Sequence, residues 1–114
     1  MKLSVVSLLT NDVPRLAAFY KALLGVDNGS QDAVHQTILS GEPMLTVYHD
    51  GTVKVGNSQR MCIAFTVDDI DAAYEQVRAL GAQVLEPPTL RPWGAVNMSF
   101  LDPDGNTVYL RQLL

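Results

Sequence analysis

Apolar and polar positions change period several times along the chain, and each change predicts an element. Residues 3–10 are aliphatic and hydroxyl-bearing and read as a strand. From residue 13 the period becomes helical: Leu16, Phe19, Tyr20 and Leu23 form one apolar stripe, predicting a helix over 13–24. Asn11 or Asp12 can cap its start, Pro14 sits in the first turn, and Gly25 is placed to end it. Residues 26–32 have no clear period, and Asn28-Gly29-Ser30 reads as a turn. Residues 34–39 and 44–49 read as two short strands joined at Ser40-Gly41-Glu42-Pro43, a hairpin.

The order then repeats. Residues 61–67 predict a strand and 70–80 a helix, with Ile70, Ala73, Val77 and Leu80 on one side and Asp71 and Glu75 early, where negative charge suits the helix dipole. Tyr74, Glu75 and Arg78 read as its solvated surface. Residues 83–85 read as a short strand, 86–92 as a proline-rich loop without regular structure, and 95–101 and 107–112 as strands. Asp102-Pro103-Asp104-Gly105-Asn106 is a strong turn between the last two. Asp12 falls on Asp69, Val13 on Ile70 and Leu23 on Leu80, an offset of 57 in each case. A repeat of about half the chain means two similar modules making one fold. Module one covers about 1–50, a Gly- and Ser-containing linker about 51–59, and module two about 60–114, within a single domain over 1–114. Strand, helix, then two or three strands in each module predicts an α+β fold: a cup-shaped mixed sheet with helices on its outer face.

Composition narrows the function. Hydrophobic residues make up 47% of the 114 residues, enough for a packed core. The formal net charge is −4 with no Lys/Arg cluster, so no nucleic-acid partner is expected; the acidic balance favours cationic ligands weakly. A single cysteine, Cys62, fits a reducing compartment. No leader pattern and no apolar run near 18 residues is visible, so a cytoplasmic protein without a membrane partner is expected.

Three pieces carry a resemblance: Asn11-Asp12-Val13 leading to Ala18-Phe19-Tyr20-Lys21-Ala22-Leu23-Leu24-Gly25; Ile63-Ala64-Phe65-Thr66-Val67-Asp68-Asp69; and Asp102-Pro103-Asp104-Gly105-Asn106-Thr107-Val108-Tyr109-Leu110. In this order, across almost the whole chain, they resemble the vicinal oxygen chelate superfamily, the fold of glyoxalase I, extradiol dioxygenases and bleomycin-resistance proteins. The resemblance implies paired βαβββ modules forming a cup, usually completed in a homodimer. It also implies that metal-using members carry a ligand on the first and last strand of each module. Carried over by motif, those positions are Val5, Cys62 and Tyr109, with Leu45, or next Val47, as the module-one counterpart of Tyr109. Val and Leu have no donor atoms, so no metal and no other cofactor is expected.

Alternation along the strands adds candidates. With Val5, Cys62 and Tyr109 in the cup, Leu3, Ser7, Ala64, Thr66, Thr107 and Arg111 share that face. Val6, Leu8, Ile63, Phe65, Val108 and Leu110 face the helices. The ligand-binding set is therefore Val5, Ser7, Leu45, Val47, Cys62, Ala64, Trp93, Tyr109 and Arg111, with no catalytic residue assigned. Trp93, in Arg91-Pro92-Trp93-Gly94, is either an aromatic wall over the ligand or a loop anchor. Tyr109 can hydrogen-bond a ligand or fill the space a metal would take. Arg111 can hold a carboxylate or phosphate, or stay solvated. Cys62 is a nucleophile only if a base such as His49 is near; otherwise it is an inert buried thiol.

The leading expectation is sequestration of a hydrophobic or cationic aromatic small molecule in an apolar cleft, without metal and without catalysis, resembling the bleomycin-resistance branch. Two others stand beside it. One is a glyoxalase- or dioxygenase-like enzyme with displaced metal ligands such as His35 and His49, with Asp50 or Glu42. The other is a non-catalytic dimer whose cup has collapsed, plugged by Tyr109.

Overall fold

In the computed structural model, residues 2–53 and 62–114 are described. The expected linker and the first residue of the expected fourth strand thus fall mostly outside them. The chain divides into two compact units, Met1–Gly56 and Asn57–Leu114. Each is an α+β arrangement of one helix and one mixed sheet.

The first unit contains β1 (Val5–Leu9), α1 (Val13–Leu24), β2 (His35–Leu39) and β3 (Met44–Tyr48). Its strand order is β1-β3-β2, with β1 parallel and β2 antiparallel to the central β3. The second contains β4 (Cys62–Thr66), α2 (Ile70–Ala79), β5 (Val84–Arg91), β6 (Ala95–Leu101) and β7 (Thr107–Leu113), in the order β4-β7-β6-β5. β1 matches β4, β2 matches β6 and β3 matches β7. The second unit is a full βαβββ module. The first has three strands, because nothing among its described residues matches β5.

The helices begin and end where local chemistry dictates. Asp12 accepts from the Arg15 N–H and Asp69 from the Ala72 N–H, two N-caps at equivalent places. Gly25 takes the left-handed conformation at φ 65° and donates to the Lys21 carbonyl, closing the last turn of α1. The buried stripe of α1 is Val13, Leu16, Ala17, Tyr20 and Leu23. Phe19, expected in the stripe, is half-buried and meets Tyr20 edge-on. α1 packs on β2 and β3, and α2 on β5, β6 and β7. Gln112 on β7 accepts from the Ile70 N–H and so pins the first turn of α2 to its sheet.

One expectation is overturned here. Residues 86–92 are not an irregular loop: β5 runs from Val84 to Arg91 through Pro87 and Pro88. It lies at the sheet edge, where only one side must pair, and its register shifts on either side of Glu86. An edge strand with bulges is where prolines are tolerated, since their missing N–H groups need no partner.

The turn between β6 and β7 rests on one carboxylate. Asp102 is buried, and its Oδ1 accepts from the Asp104 and Asn106 N–H groups while Oδ2 accepts from the Asn106 side-chain amide. Replacing it strands those donors, so Asp102→Ala is expected to cost about 2–3 kcal/mol of stability. Urea unfolding of the variant checks this through a lower midpoint at unchanged slope.

Candidate functional site

A single helix covers one face of each sheet and leaves the other open. In the first unit the register puts Val6 beside Leu45 and Leu8 beside Val47, with Gln36 beside Val47. Leu45 and Val47 are buried at 4% and 0% exposure. The open face carries Val5 beside Met44, Ser7 beside Thr46 and Thr37, and Leu9 beside Tyr48 and His35. The expectation that Leu45 and Val47 line the site with Val5 and Ser7 is thereby corrected. They lie on the opposite, helix-covered face, and the counterpart of Tyr109 is Thr46: Ser7 pairs Thr46 as Ala64 pairs Tyr109. The physical reason is that Leu45, Thr46 and Val47 are all buried, so β3 has no alternation of its own to fix its parity. Thr46 is buried although no helix covers this face, and its hydroxyl shares a 2.7 Å hydrogen bond with that of Ser7.

In the second unit the open face is a grid of rows across the sheet. Ala64, Tyr109 and Ser99 form one row, Thr66, Arg111, Asn97 and Thr89 the next, and Cys62, Thr107 and Leu101 a third. Ile63, Phe65, Val108, Leu110, Met98 and Phe100 take the opposite parity; Val108, Leu110, Met98 and Phe100 are buried in the core, and Ile63 and Phe65 are half-buried. The structure thus brings Cys62, Ala64, Tyr109 and Arg111 to one surface. Arg111 is exposed and its Nε donates to the Thr66 hydroxyl at 3.2 Å. Cys62 is exposed, not a buried thiol.

Trp93 stands 70% exposed in the turn between β5 and β6. Exposed Leu90 precedes it, and the N–H of Leu114 bonds the Gly94 carbonyl, bringing exposed Leu113 and Leu114 to the same end of the sheet. In the first unit Tyr48 and His35 meet edge-on at 5.7 Å on the open face. Both open surfaces therefore mix aliphatic, aromatic and small polar side chains, the usual character of a small-molecule site.

Two features of this surface were missed from sequence. The Asn97 Oδ1 is a buried acceptor without a hydrogen-bond partner among the described residues. Its signal was the alternation in Ala95-Val96-Asn97-Met98-Ser99-Phe100, whose small and polar members mark the open face. The second is the ion pair of Glu86 with Arg91, 2.5 Å apart across the bulged end of β5. A loop over 86–92 gives no sequence signal for this pair.

The donor set does not fit a divalent metal. The four equivalent positions hold Val5, Thr46, Cys62 and Tyr109, and valine cannot ligate at all. Among the described residues no three His, Cys, Asp or Glu side chains gather as a metal group, and this includes His35 and His49.

With this geometry in view, comparison with known proteins defines the class. The model of the Glyoxalase/Bleomycin resistance protein/Dioxygenase superfamily matches residues 2–110, and the chain belongs to that superfamily. It is 30% identical over 71 residues to the uncharacterized protein YetH of Bacillus subtilis (strain 168), a match covering 62% of this chain and 58% of that protein. Its fold is shared with a glyoxalase/bleomycin resistance protein/dioxygenase family enzyme from Burkholderia phytofirmans PsJN, at TM-score 0.83 and 19% identity over the whole of both chains. It is shared also with TioX from Micromonospora sp. ML1, at TM-score 0.77 and 21% identity, again over both whole chains. Among the described residues no helix is long and apolar enough to cross a membrane.

The Arg91 guanidinium, and after it the Thr89 hydroxyl, hold the Glu86 carboxyl below the usual glutamate range. A lowered folded-state pKa stabilises the fold above the ordinary range, and the contribution is lost as pH falls through the lowered value. A carboxyl-carbon NMR titration is expected to show Glu86 titrating below the ordinary range, and Arg91→Gln to return it there.

Proposed function

We propose that the chain is a non-metal, small-molecule-binding member of its superfamily, and that it sequesters an organic ligand against the open faces of its sheets. The observation that carries this reading is the residue set at the four first- and last-strand positions: Val5, Thr46, Cys62 and Tyr109 offer surface and one phenol where chelation chemistry needs donors. In the second unit the ligand would lie against Cys62, Ala64 and Tyr109 with Trp93 at the rim; in the first, Val5 and Ser7 offer the equivalent surface. Arg111 and the Asn97 Oδ1 would supply the polar contacts.

The chemistry favours a hydrophobic or cationic aromatic molecule. Aromatic rings stack with planar ligands and attract cations through their negative faces. The Asn97 acceptor suits an N–H or O–H group on such a ligand. A ligand burying about 300 Å² of apolar surface gains about 7 kcal/mol before the cost of association is subtracted. The net charge of −4 adds a weak long-range preference for cations.

Two measurements on the untagged protein test this. Elemental analysis after dialysis against trace divalent ions is expected to find no stoichiometric metal. Titration with a planar cationic dye such as ethidium is expected to quench Trp93 fluorescence saturably, and Trp93→Ala, followed through the dye's own fluorescence, is expected to weaken binding about tenfold, or about 1.4 kcal/mol. A tightly held metal at one per chain would overturn the reading and return attention to His35 and His49.

A further inference from the structure

The two modules differ in one respect that their repeat makes specific. β2 stands where β6 stands, and Gln36 pairs Val47 as Met98 pairs Leu110. Met98 fills the core of its unit, while at the same place Gln36 buries an amide at 3% exposure. β5 flanks β6, but its counterpart by offset, residues 27–34, is not a strand. It is a loop held by its own side chains: Asp27 accepts from the Gly29 N–H, Asn28 from the Ser30 N–H, and Asp32 from the Val34 and His35 N–H groups.

Between this loop and α1 a cleft of about 680 Å³ opens, on the helix side of the unit and away from the open sheet face. Pro14, Ala18 and Val26 give it an apolar wall; Lys21, Ser30 and Gln36 give it polar groups. The Gln36 Nε2 donates to the Asp32 carbonyl at 2.9 Å, but its Oε1 is buried and accepts nothing from the described residues. The Lys21 ammonium is largely buried, bonds the Ser30 carbonyl at 2.9 Å and lies 3.7 Å from the Asp27 carboxylate. Its charge is thus already balanced, and it has a third N–H to give.

We propose that this cleft binds a small neutral polar molecule, a polyol or a carboxamide. One hydroxyl or amide N–H of the ligand donates to the Gln36 Oε1, and an oxygen accepts from Lys21. Its C–H surface lies on the apolar wall. A buried acceptor beside a roomy, partly polar cleft needs a donor, and at this place a methionine, as in the sister module, would need none. Neutrality follows from the Lys21–Asp27 pair: a charged ligand would leave one of the two charges uncompensated.

The test is an NMR titration of the isotope-labelled full chain with glucose and, separately, with acetamide. At least one is expected to shift the Gln36 side-chain amide and the Gly29, Ser30 and Gln31 backbone signals saturably, leaving the Ala64, Tyr109 and Asn97 signals in place. Gln36→Met, which copies the sister module, is expected to weaken that binding at least tenfold. Lys21→Met provides a second variant with the same expected direction should the first not fold. Shifts that never saturate with either probe, or binding unchanged in both variants, would overturn the proposal. These readouts concern α1 and its loop, so they fail or succeed apart from dye binding on the open faces.

Discussion

One helix can cover only one face of a sheet, and everything else in this protein depends on that limit. Each unit is about half of a 114-residue chain, too small to bury both faces of its strands. Alternation along each strand then sorts side chains into a packed set and an open set. Val108, Leu110, Met98 and Phe100 do the packing in the second unit, and Leu45, Val47 and Ile38 in the first. The residues of opposite parity form the face that neither helix covers, the surface on which a ligand can be held.

That division explains why the candidate chemistry is so modest. The open faces contain a phenol, a thiol, hydroxyls, an amide and a guanidinium, but no convergent group of metal-ligating side chains among the described residues. Membership of the superfamily establishes the scaffold and not the reaction, because function is carried by the residues placed on the open faces.

The repeat is as informative where it breaks as where it holds. Helix caps at Asp12 and Asp69 and the strands that flank them are equivalent. The fourth strand is not: β5 completes one sheet, while residues 27–34 fold into turns beside the other. Asp27, Asn28, Gly29 and Ser30 favour local side-chain-to-backbone bonds over a ladder. Losing the strand exposes the flank of α1 and converts a core position into a polar one at Gln36.

What the sequence determined alone is local or periodic. The helix spans, their caps, the turn built on Asp102 and the parity of β1, β4 and β7 all follow from side chains within a few residues of one another, or from an alternation strong enough to see. The family was legible for the same reason, since its pieces are a capped helix and a turn. Only the tertiary structure decided the parity of β3, the continuation of β5 through residues 86–91 and the absence of its counterpart. β3 is buried at Leu45, Thr46 and Val47 alike, so nothing in its own pattern says which side faces the helix. Its register against β1 decides, through a pairing across 39 residues in which Ser7 meets Thr46. β5 contains two prolines that rule out a central strand but not an edge, and whether a strand lies at an edge is a property of the assembled sheet.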